Sequence, residues 1–96
     1  MENKNVWLVM ENKNVWVVIE EYLHYDMSYK KIIGVFDNED KAKQTVKSLY
    51  NRYLEEEVDS NSFDEEECKG QVWSPYDEIT TVYYNQFTLN VDYTLN

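Results

Sequence analysis

The chain has 96 residues, of which 19 are Asp or Glu and nine are Lys or Arg, so its formal net charge is −10. This charge argues against direct binding to nucleic acid or to an anionic membrane, because both attract basic surfaces. The length fits one domain, and 15 aromatic residues are available to build its core. We therefore expect residues 1–96 to fold as a single domain that avoids polyanions.

Two nine-residue segments at the start of the chain, Met1–Val9 and Met10–Val18, are identical at all but one position. A repeat of this period is too short to build a solenoid. One interpretation is a duplicated start of the coding sequence. The alternative is an extra N-terminal strand within residues 1–14, which would turn back at Glu11–Asn14 to form a hairpin.

The next segments predict two antiparallel strands and a helix. Val15–Leu23 and Lys30–Phe36 are rich in β-branched and aromatic residues, with a polar connection at His24–Tyr29 between them. Asp37 is a suitable N-cap for a helix from Asn38 to about Leu54, because its side chain can accept a hydrogen bond from the first turn. The apolar face of that helix follows three- and four-residue spacing: Ala42, Val46, Leu49, Tyr50, Tyr53 and Leu54.

The remainder of the chain predicts an acidic connection at 55–78 and then more strand. Ser74–Asp77 contains Pro75 and favours a turn, and Ile79–Tyr84 and Phe87–Asn96 are rich in strand-forming residues. The sequence therefore predicts an α+β fold with an antiparallel four- to five-stranded sheet and one helix packed on one face. The expected element order is β-β-(β)-α-β-β.

The negative charge is concentrated in the second part of the chain. Residues 1–54 contain eight acids and eight bases, whereas residues 55–96 contain eleven acids and one base, Lys69. Such clustering creates a local potential that attracts a basic partner and weakens with salt. The alternative interpretation is a solvated acidic loop with no partner.

The sequence contains no catalytic motif, and we predict no enzyme activity, no cofactor and no metal site. Cys68 follows Glu66 and Glu67, whose negative charge disfavours the reactive thiolate. His24 has no nucleophile or paired carboxylate nearby in the sequence. Two glycines in the whole chain are too few for a phosphate-binding loop.

The stretch from Val15 through Gly34-Val35-Phe36 to Ala42 resembles a group of small phage and bacterial proteins of unknown function. The resemblance covers about residues 15–54 and implies a β-β-α core in a mobile genetic element. It assigns no catalytic residue. In size and charge the chain also resembles phage anti-CRISPR proteins and DNA mimics.

These features predict a small acidic inhibitor that binds a basic, nucleic-acid-binding surface of a host defence nuclease in the host cytoplasm. A CRISPR effector nuclease is the expected partner, because its arginines are arranged to accept negative charge. Alternatively, the chain is a non-catalytic assembly module that forms a homodimer by edge pairing of its first or last strand. The candidate partner-binding residues are Glu55, Glu56, Glu57, Asp59, Asp64, Glu65, Glu66, Glu67, Tyr76, Asp77 and Glu78.

Overall fold

Two 17-residue strands pair along their whole length and form the centre of a five-stranded antiparallel sheet. The computed structural model describes the backbone of residues 8–94 and the side chains of residues 13–89. The strand order is β2-β1-β5-β4-β3, and the single helix packs on one face. This confirms the predicted α+β class. The elements are β1 (Leu8–His24), β2 (Met27–Phe36), α1 (Glu39–Tyr53), β3 (Ser60–Asp64), β4 (Lys69–Trp73) and β5 (Glu78–Thr94).

Strands β1 and β2 form a tight hairpin. The polar connection predicted at His24–Tyr29 is wrong, because the strands leave only Tyr25 and Asp26 in the turn. Tyr25 has a φ of 55°, a left-handed conformation that closes this short turn. A β-bulge opposite Val18 and Ile19 bends the pair farther along.

The helix follows the predicted periodicity and begins one residue later than expected. Asn38, not Asp37, is the N-cap, and its side chain accepts a hydrogen bond from the backbone N–H of Lys41 at 3.2 Å. The buried helix residues pack against Val18 of β1 and Val82 of β5, both fully buried. They are Ala42, Val46 and Leu49. No helix in the described part of the chain has both the length and the apolar character needed to cross a membrane.

The prediction of an acidic connection at 55–78 is wrong, because this segment contains the β3–β4 hairpin. β3 is the outer edge strand, and β4 lies between it and β5. The side chain of Asp64 accepts a hydrogen bond from the backbone N–H of Glu67 at 3.0 Å and so stabilises the turn between them. The predicted turn at Ser74–Asp77 is confirmed.

Strand β1 continues straight through Glu11–Asn14, so the predicted turn there and a separate N-terminal strand within residues 8–14 are wrong. Residues 1–7, with most of the first repeat copy, lie outside the described chain, as does the end of the last predicted strand. The two predicted C-terminal strands are one continuous strand, β5. Leu8–Val15 and Phe87–Thr94 pair only with each other among the described strands, and we call this two-stranded extension the arm. The molecule measures 69 × 29 × 18 Å along its principal axes.

Candidate functional site

A cavity of about 210 Å³ lies beyond the C-terminal end of α1, on the face of the sheet that the helix covers. Glu20 reaches it from β1, Glu56 and Glu57 from the segment after the helix, and Glu78 from the start of β5. The described residues that line it include these four Glu residues and no Lys or Arg. We call these four carboxylates, together with Tyr22, Tyr53 and Tyr76, the helix-end cluster.

Tyrosine hydroxyls hold three of the four carboxylates of the helix-end cluster. Tyr53 donates a hydrogen bond to Glu20, and Tyr22 donates one to Glu78. Tyr76 donates to Oε1 of Glu57 at 2.8 Å. A phenol positions a carboxylate without neutralising it, since the donor is uncharged. The cluster therefore fixes negative charge in place and leaves it available to a partner.

The turn between β4 and β5 is held by the Ser74 hydroxyl. Its Oγ accepts hydrogen bonds from the backbone N–H of Tyr76 at 3.1 Å and of Glu78 at 3.3 Å, and the hydroxyl donates one to Oε1 of Glu78 at 3.3 Å. Asp77 has a φ of 62°, the left-handed conformation that Asp tolerates better than most residues. The turn thus presents Tyr76 and Glu78 from a fixed backbone.

The same pairing of tyrosine and carboxylate recurs across the molecule. Tyr83 donates to Glu21 at 2.6 Å, and Tyr84 donates to Glu39 at 2.7 Å. Among residues 13–89, two Lys–Glu ion pairs are present, and neither involves the helix-end cluster. Phenols, more often than basic side chains, hold the described carboxylates.

A second group of acids, Asp64–Glu67, forms the hairpin tip between β3 and β4. All four residues are exposed. The Lys47 ammonium lies 3.8 Å from Oε1 of Glu65, and Lys69 stands opposite Asp64 in the strand register. Nearby bases therefore offset part of the negative charge at this tip.

The structure divides the predicted partner-binding residues between the two ends of β3. Four of them lie between the helix and β3, close to the turn that joins Trp73 of β4 to Glu78 of β5: Glu55, Glu56, Glu57 and Asp59. Asp64, Glu65, Glu66 and Glu67 lie at the other end, at the hairpin tip. The structure brings four predicted residues together, through the cavity lining or a direct hydrogen bond: Glu56, Glu57, Tyr76 and Glu78. Three others are exposed and adjacent to these in the sequence: Glu55, Asp59 and Asp77.

Sequence reasoning missed Glu20, Tyr22 and Tyr53, which complete the helix-end cluster. They lie in the electrically neutral part of the chain, far in sequence from the acids that they join. Glu20 alternates with buried Val18 along β1, so it points to the helix side of the sheet. The alternation of side chains along β1 was therefore the sequence pattern that could have placed Glu20 on the helix side of the sheet.

The other reactive side chains lie apart from this cluster. Cys68 is 1% exposed beneath the helix, and burial raises the pKa of its thiol. This agrees with the expectation of a poor nucleophile, although burial outweighs the nearby charges as the cause. The His24 ring packs against the ring of Tyr25 at 4.3 Å between centroids. Within the described chain, no three His, Cys, Asp or Glu side chains are grouped so as to hold a metal ion.

The tyrosine–carboxylate pairs predict a loss of stability at alkaline pH. Hydrogen bonds to Glu78 and to Glu39 raise the pKa of Tyr22 and of Tyr84 to about 12, and burial with a hydrogen bond to Glu21 raises that of Tyr83 to about 12. An unfolded tyrosine titrates near pH 10. The stabilisation is therefore complete below about pH 10 and is lost as the pH rises to about 12.

Absorbance of tyrosinate during a pH titration should show these phenols ionising late in the folded protein and near pH 10 in denaturant. Tyr84→Phe should remove one late-titrating group and leave the late ionisation of Tyr22 and Tyr83 unchanged. Ionisation of every tyrosine near pH 10 in the folded chain would contradict the hydrogen-bonded arrangement.

Comparison of this chain with protein-family models, curated proteins and solved structures gave no match. Functional inference therefore depends on the arrangement of its own side chains.

Proposed function

We propose that this protein is a non-catalytic inhibitor that binds a basic, nucleic-acid-binding surface of a host defence nuclease, with a CRISPR effector nuclease as the target. The observation that supports this most is the helix-end cluster, in which four carboxylates surround a cavity that no described Lys or Arg lines, and neutral phenols hold three of the four. The proposal includes the host cytoplasm as the site of action, since the effector works there.

The physical basis is competition for cationic side chains. Effector nucleases present Lys and Arg to the phosphates of the guide–target duplex and use Arg to read the adjacent DNA motif. A rigid acidic surface can pair with the same groups, and little ordering is needed when its carboxylates are already positioned. The net charge of −10 adds long-range attraction, which increases the association rate.

The helix-end cluster supports this binding better than the hairpin tip does. Lys47 and Lys69 already compensate part of the charge at the tip, and its acids stand on a solvent-exposed turn. In the helix-end cluster, Glu57 is held by Tyr76 and Glu78 by Tyr22, so those carboxylates are fixed before binding. We expect the helix-end cluster to form the centre of the interface and the tip to form its rim.

The proposal is tested by measuring DNA binding to an effector nuclease loaded with guide RNA while this protein is added. We expect the protein to displace target DNA in a competitive manner. The inhibition should weaken when salt rises from about 50 mM to about 200 mM, because charge pairing at the interface is screened. An effector that binds the protein and its DNA target together, or inhibition that is independent of salt, would contradict the proposal.

A further inference from the structure

The helix covers one face of the sheet, and no helix or strand of the described chain covers the other, which we call the open face. Val18 and Val82 point to the helix, so the side chains that alternate with them along β1 and β5 point to the open face. Residues paired across two strands share a face, and the strand register therefore extends this assignment to β2, β3 and β4.

An uncharged apolar patch occupies the part of the open face where β2, β1 and β5 lie side by side. Ile32 pairs with Ile19, and Val35 pairs with Val17, so all of these side chains lie on this face. Ile32 is 65% exposed, Val35 59% and Phe87 46%. The apolar patch consists of Val17, Ile19, Ile32, Val35, Phe87 and Leu89. Exposed apolar side chains that adjoin one another in this way mark an interaction site.

The charged side chains of the open face nearly balance. The Lys30 ammonium lies 3.2 Å from Oε2 of Glu21, which also accepts a hydrogen bond from Tyr83. Among residues 13–89, the strands place three bases and two acids on this face, a net charge of +1 in a chain of −10: Lys13, Lys30, Lys69, Glu21 and Asp64. Two copies of so acidic a protein repel each other, and the repulsion is weak where the facing surfaces are nearly neutral. The charge distribution thus favours a second copy at the open face.

The size of the open face matches what a dimer needs. β2 has 10 residues, and β3 and β4 have five each. Taking β1 and β5 over the length of β2, with a rise of about 3.3 Å per residue and strands about 4.8 Å apart, the face measures about 600 Å² in projection. Two such faces bury about 1,200 Å², which reaches the range of stable interfaces. The open side of the arm, with Phe87 and Leu89, adds to this area.

We propose that two copies of this chain associate through their open faces, with the apolar patch of one packed against the apolar patch of the other. The two sheets then lie about 10 Å apart, with one helix on each outer side. The contact is isologous and closes on itself, as in most homodimers. The helix-end cluster lies on the covered face of the sheet, so the dimer leaves both clusters accessible. This inference does not depend on the proposed function.

Sedimentation velocity of the full chain over a range of concentrations tests the dimer. Ile32→Asp and Val35→Asp should each raise the dimer dissociation constant about 100-fold, because each substitution buries two unpaired carboxylates at the interface. Both residues are exposed in the single chain, so the variants should fold, which the circular dichroism spectrum checks. A monomer of the unmodified chain at every concentration, or a dimer that both variants leave unchanged, would overturn the proposal.

Met27→Asp is the matched control for these variants. Met27 lies on the same strand and is 55% exposed, and its pairing with His24 places it on the other face. The control makes the same change of net charge, and its dimer dissociation constant should equal that of the unmodified chain. An equal loss of dimer in all three variants would mean that net charge, and not the open face, controls association, and would overturn the proposal.

Hydroxyl-radical footprinting at low and high protein concentration locates the contact. Ile32, Phe87 and Leu89 should become less reactive as the dimer forms, whereas Tyr25, 74% exposed in the β1–β2 turn, should stay unchanged. A dimer in which the open-face side chains keep their reactivity would place the contact elsewhere and overturn the proposal. Protection of this face only when a loaded effector nuclease is added would assign it to that partner, and this too would overturn the proposal.

Discussion

Replacing Glu56 and Glu57 together with lysine is expected to weaken binding to the basic surface of an effector nuclease by about 100-fold at low salt. Both carboxylates line the helix-end cavity, and Glu57 accepts a hydrogen bond from Tyr76. Close charge pairs across an interface contribute about 1.4 kcal/mol or more each, which is tenfold per pair. The measurement is the affinity of the loaded effector for each variant, by calorimetry or by competition with labelled DNA.

Two variants with the same change of net charge serve as controls for this result. Asp64→Lys with Glu66→Lys changes the hairpin tip, and we expect a loss of a few-fold because nearby lysines already offset its charge. Asp37→Lys with Asp40→Lys changes the exposed start of the helix, away from the helix-end cluster. A similar loss in all three variants would mean that net charge, and not the cluster, controls binding.

Replacing Gly70 with alanine is expected to destabilise the protein by about 3 kcal/mol, near the upper end for overpacked cores. An added Cβ would lie 2.5 Å from Cδ1 of the Tyr50 ring and 3.1 Å from Cδ2 of the Phe63 ring. The two rings pack 4.9 Å apart, and the Tyr50 hydroxyl donates to Asn61 at 2.6 Å, so the tyrosine has little freedom to move away. Urea unfolding measures the change.

Ser62→Ala is the matched control for the glycine substitution. It lies on the neighbouring strand β3 and is exposed, so its effect should stay within about 0.5 kcal/mol. Unchanged stability of the Gly70→Ala protein would show that β4 is not held closely against the helix.

The sequence predicted elements well where one side of the element is buried. Ala42, Val46 and Leu49 follow the helical period because they face the sheet, and the helix appeared within one residue of its predicted ends. The N-cap was misplaced because Asp37 and Asn38 are both favourable capping residues. Which of the two residues caps the helix depends on where strand β2 ends and the helix begins.

The elements that the sequence missed have weak local patterns. In β3, Phe63 is partly buried and the other residues are exposed, so an edge strand looks like a polar loop. In β4, Gly70 is buried beside the Tyr50 ring, where an added Cβ would clash, although glycine disfavours strands in general. Glu11–Asn14 lie in the arm, which has no third strand in the described chain. Because these residues are all polar, their sequence resembles a turn and not a strand.

The site was predictable in composition and only partly in arrangement. The sequence located the acidic residues after the helix and the turn at Tyr76 and Glu78. It did not show that Tyr53 holds Glu20, since 33 positions separate them and only the packing of α1 on β1 brings them together. Long-range contacts of this kind depend on tertiary structure, which local patterns do not specify.

The full-length pairing of β1 with β5 also affects how the chain folds. Leu8 pairs with Thr94 and His24 with Glu78, so the central pair of the sheet joins the most distant described parts of the chain. Topologies dominated by such distant pairs fold slowly, because much chain entropy is lost before the contacts form. During synthesis, the β1–β2 hairpin and the helix leave the ribosome before β5 does. Until β5 has been synthesised, the edge of β1 and the apolar face of the helix stay uncovered. In that state, chaperone binding or aggregation competes with folding.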